Sequence, residues 1–242
     1  MDATTPLDQL PGFRRRFLVI PEAGRVVSAV EDDYHCMRVT LVHDGHVATS
    51  VEGTMIRAPW TTCPGAVEQV RKTFTRVALE GFAERGEKRD NCTHLHDLAV
   101  LAAAHAFDRA PTVFDILVSD PVDGLRRAEL RRNGQTVLAW TLEGLRIVAP
   151  AELAGTMLDQ MNPWIASLDS AGQEAARLLR WGNFLAHGRA IPMERQSDAT
   201  RMPSNCYTFQ PHRKTVAKRV GVIREFSRGS AQPLDGLQPA AG

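Results

Sequence analysis

The chain predicts an α+β fold: an antiparallel, hairpin-rich sheet, or two such sheets, with three main helices packed against it. Three observations carry that expectation. Strand-like alternation comes in pairs joined by short turn sequences, helical periodicity comes in separate blocks, and strand never alternates with helix one for one as a doubly wound sheet requires.

The first pair is Phe17 to Ile20 and Val26 to Val30, separated by the turn residues Pro21-Glu22-Ala23-Gly24. In the second pair His35, Met37, Val39 and Leu41 alternate with Cys36, Arg38 and Thr40 before Asp44-Gly45, and His46 to Ile56 returns. Asp-Gly suits the left-handed backbone of a two-residue type I′ turn. The alternation turns His35 inward. After Cys63-Pro64 the period becomes helical, with Val67, Val70, Phe74 and Val77 on one stripe and proline pre-set for the first turn. A charged, glycine-containing loop from Gly81 to Asp90 leads to Asn91, and a second helix is expected from Thr93 to Phe107 with Leu95, Leu98, Ala102 and Ala106 inside. Strands resume at Thr112 to Val118. Leu125 to Arg132 and Gln135 to Leu142 flank Asn133-Gly134, a second type I′ signal, and Leu145 to Val148 ends before Pro150. A third helix runs from Ser170 to Ala186, with Ala175, Leu178, Gly182 and Leu185 on one side and His187-Gly188 at its end. From Met202 onward no regular pattern emerges.

Residues 1–12 and 229–242 read as a flexible lead-in and tail. Residues 13–228 read as one domain, with halves 13–108 and 109–228 meeting near Asp108 to Pro111 and no linker-like boundary between them. At 242 residues, 43% hydrophobic and 24% charged, the composition is that of an ordinary globular protein with a sizeable core. A formal net charge of +1 argues against nucleic acid as a partner. The runs Arg14-Arg15-Arg16 and His212-Arg213-Lys214 read as solvated faces or tails. No apolar stretch reaches ~18 residues and the first twelve lack a signal-peptide core, so no membrane is expected. A cytoplasmic location follows as an expectation, with Cys36, Cys63, Cys92 and Cys206 as reduced thiols.

The densest chemistry is Asn91-Cys92-Thr93-His94-Leu95-His96-Asp97, at a helix start. Cys63 opens another helix within Trp60-Thr61-Thr62-Cys63-Pro64-Gly65. Unpaired N–H groups at helix starts favour negative charge and lower a cysteine's pKa, which makes Cys63 and Cys92 candidate nucleophiles or ligands. The competing reading is packing, with Asn91 or Thr93 as caps. His94 and His96 point about 200° apart on a helix, so they do not share a site unless that segment is still extended. Cys63, Cys92, His94 and the inward His35 are zinc-type ligands without the short paired spacings of a strong zinc motif. Phosphate-loop, dinucleotide and serine-elbow motifs are absent. Further along, Arg189 could hold an anionic group and Tyr207 donate a proton, with His212 nearby in sequence. Trp60, Trp140 and Trp164 are candidate aromatic walls, with core packing as the alternative.

The segments His35-Cys36-Met37-Arg38-Val39-Thr40-Leu41, Ala58-Pro59-Trp60-Thr61-Thr62-Cys63-Pro64 and Cys92-Thr93-His94-Leu95 resemble successive signatures of a bacterial domain-of-unknown-function family, number 2889. The similarity covers Arg14 to Phe107, and Cys-Thr-His-Leu opening a helix is its most specific part. Asn91 stands where that pattern has glycine, and Cys36 where it has an acidic residue. The resemblance implies that His35, Cys63, Cys92, Thr93 and His94 lie together, and it associates the chain with bacterial catabolism of aromatic compounds.

The leading expectation is a lyase that breaks a carbon–carbon bond of an aromatic small molecule, by deformylation or decarboxylation, without an organic cofactor or metal. His94 would be the acid or base, His35 would share its proton, and Cys92 would complete the catalytic group. Thr93, Cys63, Trp60, Arg189 and Tyr207 would bind substrate. Two alternatives stand beside it: a structural or hydrolytic zinc site of Cys63, Cys92, His94 and His35, and a non-enzymatic ligand-binding module. Homo-oligomerisation is left open.

Overall fold

The structure, a computed structural model, describes residues 5–189, 191–229 and 231–237. The first four residues of the expected lead-in, and 230 and 238–242 of the expected tail, lie outside the described residues. The fold is α+β, with an antiparallel sheet of eight strands. The described residues form two compact units: 17–112, 193–224 and 233–237 in one, and 5–16, 113–189, 191–192, 225–229 and 231–232 in the other.

In the first unit the strand order is β4-β3-β2-β1, where β1 is Gly12–Glu22, β2 Arg25–Asp32, β3 Cys36–His43 and β4 Ala48–Arg57. Strand β1 gives its first five residues to the other unit. On β3 the residues Met37, Val39, Leu41 and His43 are buried while Arg38, Thr40 and Val42 are more open, so the alternation seen in the sequence is the burial pattern. Two helices cover this face, α1 (Ala66–Phe74) and α2 (Thr93–Ala104). They approach closely at Gly53 of β4, where a Cβ would meet Leu95 and Val70 side chains at 3.2 Å. Met37, Val39, Leu41, Val51, Val70, Phe74, Leu95 and Leu98 are all fully buried. Each such side chain contributes roughly 1.5–3 kcal/mol of transfer free energy.

In the second unit the order is β1-β5-β6-β7-β8, with β5 Thr112–Ser119, β6 Leu125–Arg132, β7 Gln135–Glu143 and β8 Arg146–Ala149. A short helix α3 (Asn162–Ala166) precedes α4 (Ser170–Gly188), which Asp169 caps by accepting from Gly172 N at 2.7 Å. Two further short helices are α5 (Met193–Gln196) and α6 (Pro211–Lys214).

Several local expectations need correction. The Asn133-Gly134 turn is as expected: Arg132 pairs with Gln135, and both turn residues have positive φ, 50° and 81°. Asp44-Gly45 is not a two-residue turn. His43 pairs with Ala48 across four loop residues, and Asp44 Oδ1 accepts from His46 N and Val47 N, both at 2.9 Å. The aspartate side chain builds its own turn and outcompetes the tighter one.

Helix α2 stops at Ala104 rather than Phe107, where His105 Nδ1 meets Asp108 Oδ2 at 2.7 Å. The buried side of α4 is Leu178, Leu179, Gly182, Asn183 and Ala186, so Ala175 and Leu185 sit at its margin. The stretch read as a loop at 81–90 contains 3₁₀ turns at Leu79–Glu84 and Glu87–Arg89, anchored by Phe82 stacked on Phe74 with centroids 4.6 Å apart. The arginine run is not a solvated face. Arg14 and Arg15 are buried in β1, Arg14 donating to the Leu7 and Phe13 carbonyls, and Arg16 pairs with Asp115 at 2.6 Å. Among the described residues no helix is long and apolar enough to cross a membrane.

Candidate functional site

Strand β2 ends on Glu31 and Asp32, Asp33 follows, and all three acids are buried at the tip of the β2–β3 hairpin. Such a tip is costly unless its polar groups are paired. Asp32 N donates to the His35 carbonyl at 2.9 Å, which closes the turn. Asp32 Oδ1 accepts from Tyr34 N at 2.8 Å, from His35 N at 2.9 Å and meets His35 Nδ1 at 2.9 Å. One carboxylate oxygen thus both shapes the turn and orients the imidazole.

Arg57, at the end of β4 opposite Cys36, fastens the turn from outside. Its guanidinium donates to the Asp32 and Asp33 carbonyls, each at 2.6 Å, to the His35 carbonyl at 3.3 Å and to Glu31 Oε1 at 3.0 Å. A planar five-donor fork suits this spread of acceptors.

The second half of the site comes from α2. Its N-cap is Cys92, not Asn91, and the thiol makes no capping bond. Asn91 is fully buried and structural: Nδ2 donates to Thr73 Oγ1 and the Glu87 carbonyl, both at 2.9 Å. His94, one residue into the helix, places its ring on that of His35, centroids 3.9 Å apart and planes at 29°. Cys92 Sγ lies 3.8 Å from His94 Nδ1 and 3.9 Å from Met37 Sδ. Thr93 is buried beside them in sequence. His96 points elsewhere and meets the edge of Phe74 at 5.0 Å; burial holds its pKa down, so it is a neutral packing residue.

The thiols are not activated. Burial pushes Cys92 far up, with Cys63 adding to the effect, and the nearby backbone N–H groups of Leu95 and His94 do not offset it. Burial also raises Cys63. Desolvation therefore outweighs the helix-start effect anticipated for both. Cys63 also does not cap α1. It opens a 3₁₀ turn (Cys63–Gly65), the α-helix is preceded by Gly65, and the thiol accepts from Thr208 Oγ1 at 3.3 Å.

Of the residues singled out in the sequence, His35, His94 and Cys92 come together. Cys63 and Trp60 form a neighbouring cluster with Ala199, and Phe209 meets the Trp60 ring edge-on. Tyr207 N donates to the Asn91 carbonyl at 2.8 Å, and Arg213 lies over its ring at 3.6 Å. Arg189 belongs to the other unit, where Asp120 and Glu225 neutralise it at 3.2 and 2.8 Å. In that same unit Trp140 meets Trp164 edge-on.

Sequence reasoning missed Asp32 and Arg57. The signal was available: three acids inside an apolar hairpin, three residues before an inward histidine. Among the described residues, Asp32, His35 and His94 are the one group of three His, Cys, Asp or Glu side chains whose ligand atoms lie within 4.8 Å of one another. The zinc set expected from sequence is therefore divided: two of its histidines are in this group and Cys63 and Cys92 are not.

No protein-family model matches the chain, and no curated protein matches it in sequence. Among solved structures, one titled as the crystal structure of a viral glycoprotein aligns over 78% of this chain and 61% of its own length, at 11% identity and a TM-score of 0.21. The chain thus spans less than two thirds of that protein, and a similarity at this level carries no argument about fold or function.

Proposed function

We propose that the chain is a small-molecule enzyme that moves a proton through the Asp32–His35–His94 group, acting as a carbon–carbon lyase on an aromatic substrate. The observation that carries this reading is the buried Asp32–His35 contact at 2.9 Å with a second imidazole stacked on it at 3.9 Å. A carboxylate on Nδ1 selects the tautomer that leaves Nε2 to accept or donate, and histidine is the side chain suited to this near neutral pH.

In either form of the reaction the electron pair of the broken bond passes to the ring carbon, which takes the proton. A carboxyl group leaves as carbon dioxide; a formyl group, after water adds, leaves as formate. Cys92, protonated and apolar, serves as a wall rather than a nucleophile. The aromatic substrate class rests on the resemblance of the three motifs to the 2889 family and on the aromatic residues Tyr34 and Trp60 near the site.

A second reading is favoured by the mutual reach of Asp32, His35 and His94: a divalent metal centre of two histidines and one carboxylate. Elemental analysis of the purified protein separates the two. About one equivalent of metal, lost in His94→Ala and kept in Cys63→Ser, makes this a metal centre. Metal-free protein that turns over aromatic aldehydes or acids, with His35→Gln slower by 10²–10⁴-fold, is the outcome expected of proton transfer. Unchanged turnover in His35→Gln would overturn the leading reading.

A further inference from the structure

Arg219 stands out among the cations around the site. Residues 218–220 run beside Pro59, Trp60 and Thr61: Trp60 and Arg219 form an isolated bridge, Thr61 N donates to the Lys218 carbonyl at 3.0 Å, and Val220 N to the Pro59 carbonyl at 2.9 Å. This places the Arg219 guanidinium 5.4 Å from the Trp60 ring centroid and 5.5 Å from that of Tyr34, which immediately precedes His35. Arg219 is half-buried, and among the described residues no carboxylate lies within ion-pair distance of it. Burial holds its pKa below the usual range, and the groups that act against this are Tyr34 and Cys63, neither of them a carboxylate.

The neighbouring arginines differ. Arg57 and Arg224 are spent on Glu31, and Arg213 lies on Tyr207. A partly desolvated guanidinium without a counter-ion is costly, and an arginine fork matches a carboxylate in two parallel hydrogen bonds. The flanking rings suit a flat, apolar body attached to that anion.

We propose that Arg219 is the anchor for the carboxylate of an aromatic acid, with Tyr34 and Trp60 as the walls around its ring. This rests on the proton-transfer reading of the adjacent histidines and narrows it. A carboxylate neutralised by an arginine is stabilised against loss, so the group that departs is a different substituent of the same ring.

The test is calorimetric binding of benzoate, benzamide and cyclohexanecarboxylate to the full chain. Benzoate is expected to bind at one site, with uncharged benzamide and non-aromatic cyclohexanecarboxylate each at least tenfold weaker. Arg219→Gln should weaken benzoate at least tenfold with an unchanged melting temperature, Arg219→Lys should recover part of the loss, and Tyr34→Leu should weaken benzoate but not small anions. Absence of benzoate binding, equal affinity for benzamide, or full affinity in Arg219→Lys and Arg219→Gln would overturn the anchor. His35→Gln separates the two proposals: benzoate binding retained with turnover unaffected sinks proton transfer and leaves the anchor standing, whereas retained turnover dependence with no benzoate binding does the reverse.

Discussion

The imidazoles of His35 and His94 lie face to face, 3.9 Å between centroids, one held by a hairpin turn and the other by a helix start. Ring area and ring nitrogens can be separated here. His94→Phe keeps a flat ring on His35 and removes both nitrogens. Folding stability should stay within about 1.5 kcal/mol of wild type, as for a swap that nearly conserves volume. Turnover should fall 10²–10⁴-fold if His94 carries a proton. Urea unfolding and a turnover assay on the same preparation check both. Full activity in this variant would make the stack a packing device.

The turn that presents His35 depends on one side chain reaching four acceptors. Arg57→Lys keeps the charge but cannot donate at once to the Asp32 and Asp33 carbonyls and to Glu31. We expect a loss of about 2–3 kcal/mol, because buried acceptors lose their donors. The urea midpoint should fall at unchanged slope. A loss under about 0.5 kcal/mol would mean that the hairpin holds its tip without the fork.

Much of this architecture was legible because hairpins and amphipathic helices repeat at periods of 2 and 3.6 residues. The inward side of β3, hence the inward His35, follows from period alone. The meeting of His35 with His94 was indicated only by the motif resemblance; no local pattern encodes a contact between a hairpin tip and a helix start. Asp32 was hidden because consecutive acids ordinarily signal a solvated turn, and the groups that pair these acids when buried, Arg57 and Arg224 at Glu31 and the turn's own Tyr34 and His35 N–H groups at Asp32, show only in the fold. The protonated state of Cys92 was equally illegible. Helix-start position is written in sequence, whereas the burial that overrides it is a property of the fold, which also brings Met37 against the thiol and adds the electrostatic effect of Cys63.

The thiols yield a pH dependence with a definite sign. Burial, then Glu31, raises Cys36 to about 11, and burial raises Cys206 to about 11. At pH 7 a thiol of that pKa is ionised to only about 1 part in 10⁴, so the native protein should resist iodoacetamide until it is unfolded. For stability, the folded state holds these protons more tightly than the unfolded chain. The contribution is intact below the ordinary thiol value near 9 and is lost as pH rises through about 11. Each pKa unit corresponds to about 1.4 kcal/mol, so for Cys36 up to about 2–3 kcal/mol is at stake across that window. Denaturant unfolding of wild type and Cys36→Ala at pH 8 and 10.5 checks it. Parallel pH dependence in the two proteins would show that Cys36 does not contribute.

Gly65 and Tyr207 make the sharpest steric test of how the segment after Met193 closes on the helices. A Cβ on Gly65 would stand 2.6 Å from Tyr207 Oη and 3.2 Å from two ring carbons. The tyrosine cannot easily retreat, since its backbone N–H is bonded to the Asn91 carbonyl and Arg213 covers its ring. Gly65→Ala should therefore destabilise by about 1–3 kcal/mol, the usual cost of overpacking. Removing the hydroxyl removes the closest contact, so adding Tyr207→Phe should restore a large part of that loss. A coupling energy of 0.5 kcal/mol or more in the double-mutant cycle is expected for side chains in such contact. Simple additivity of the two substitutions would mean that residues 207–214 do not rest on the start of α1.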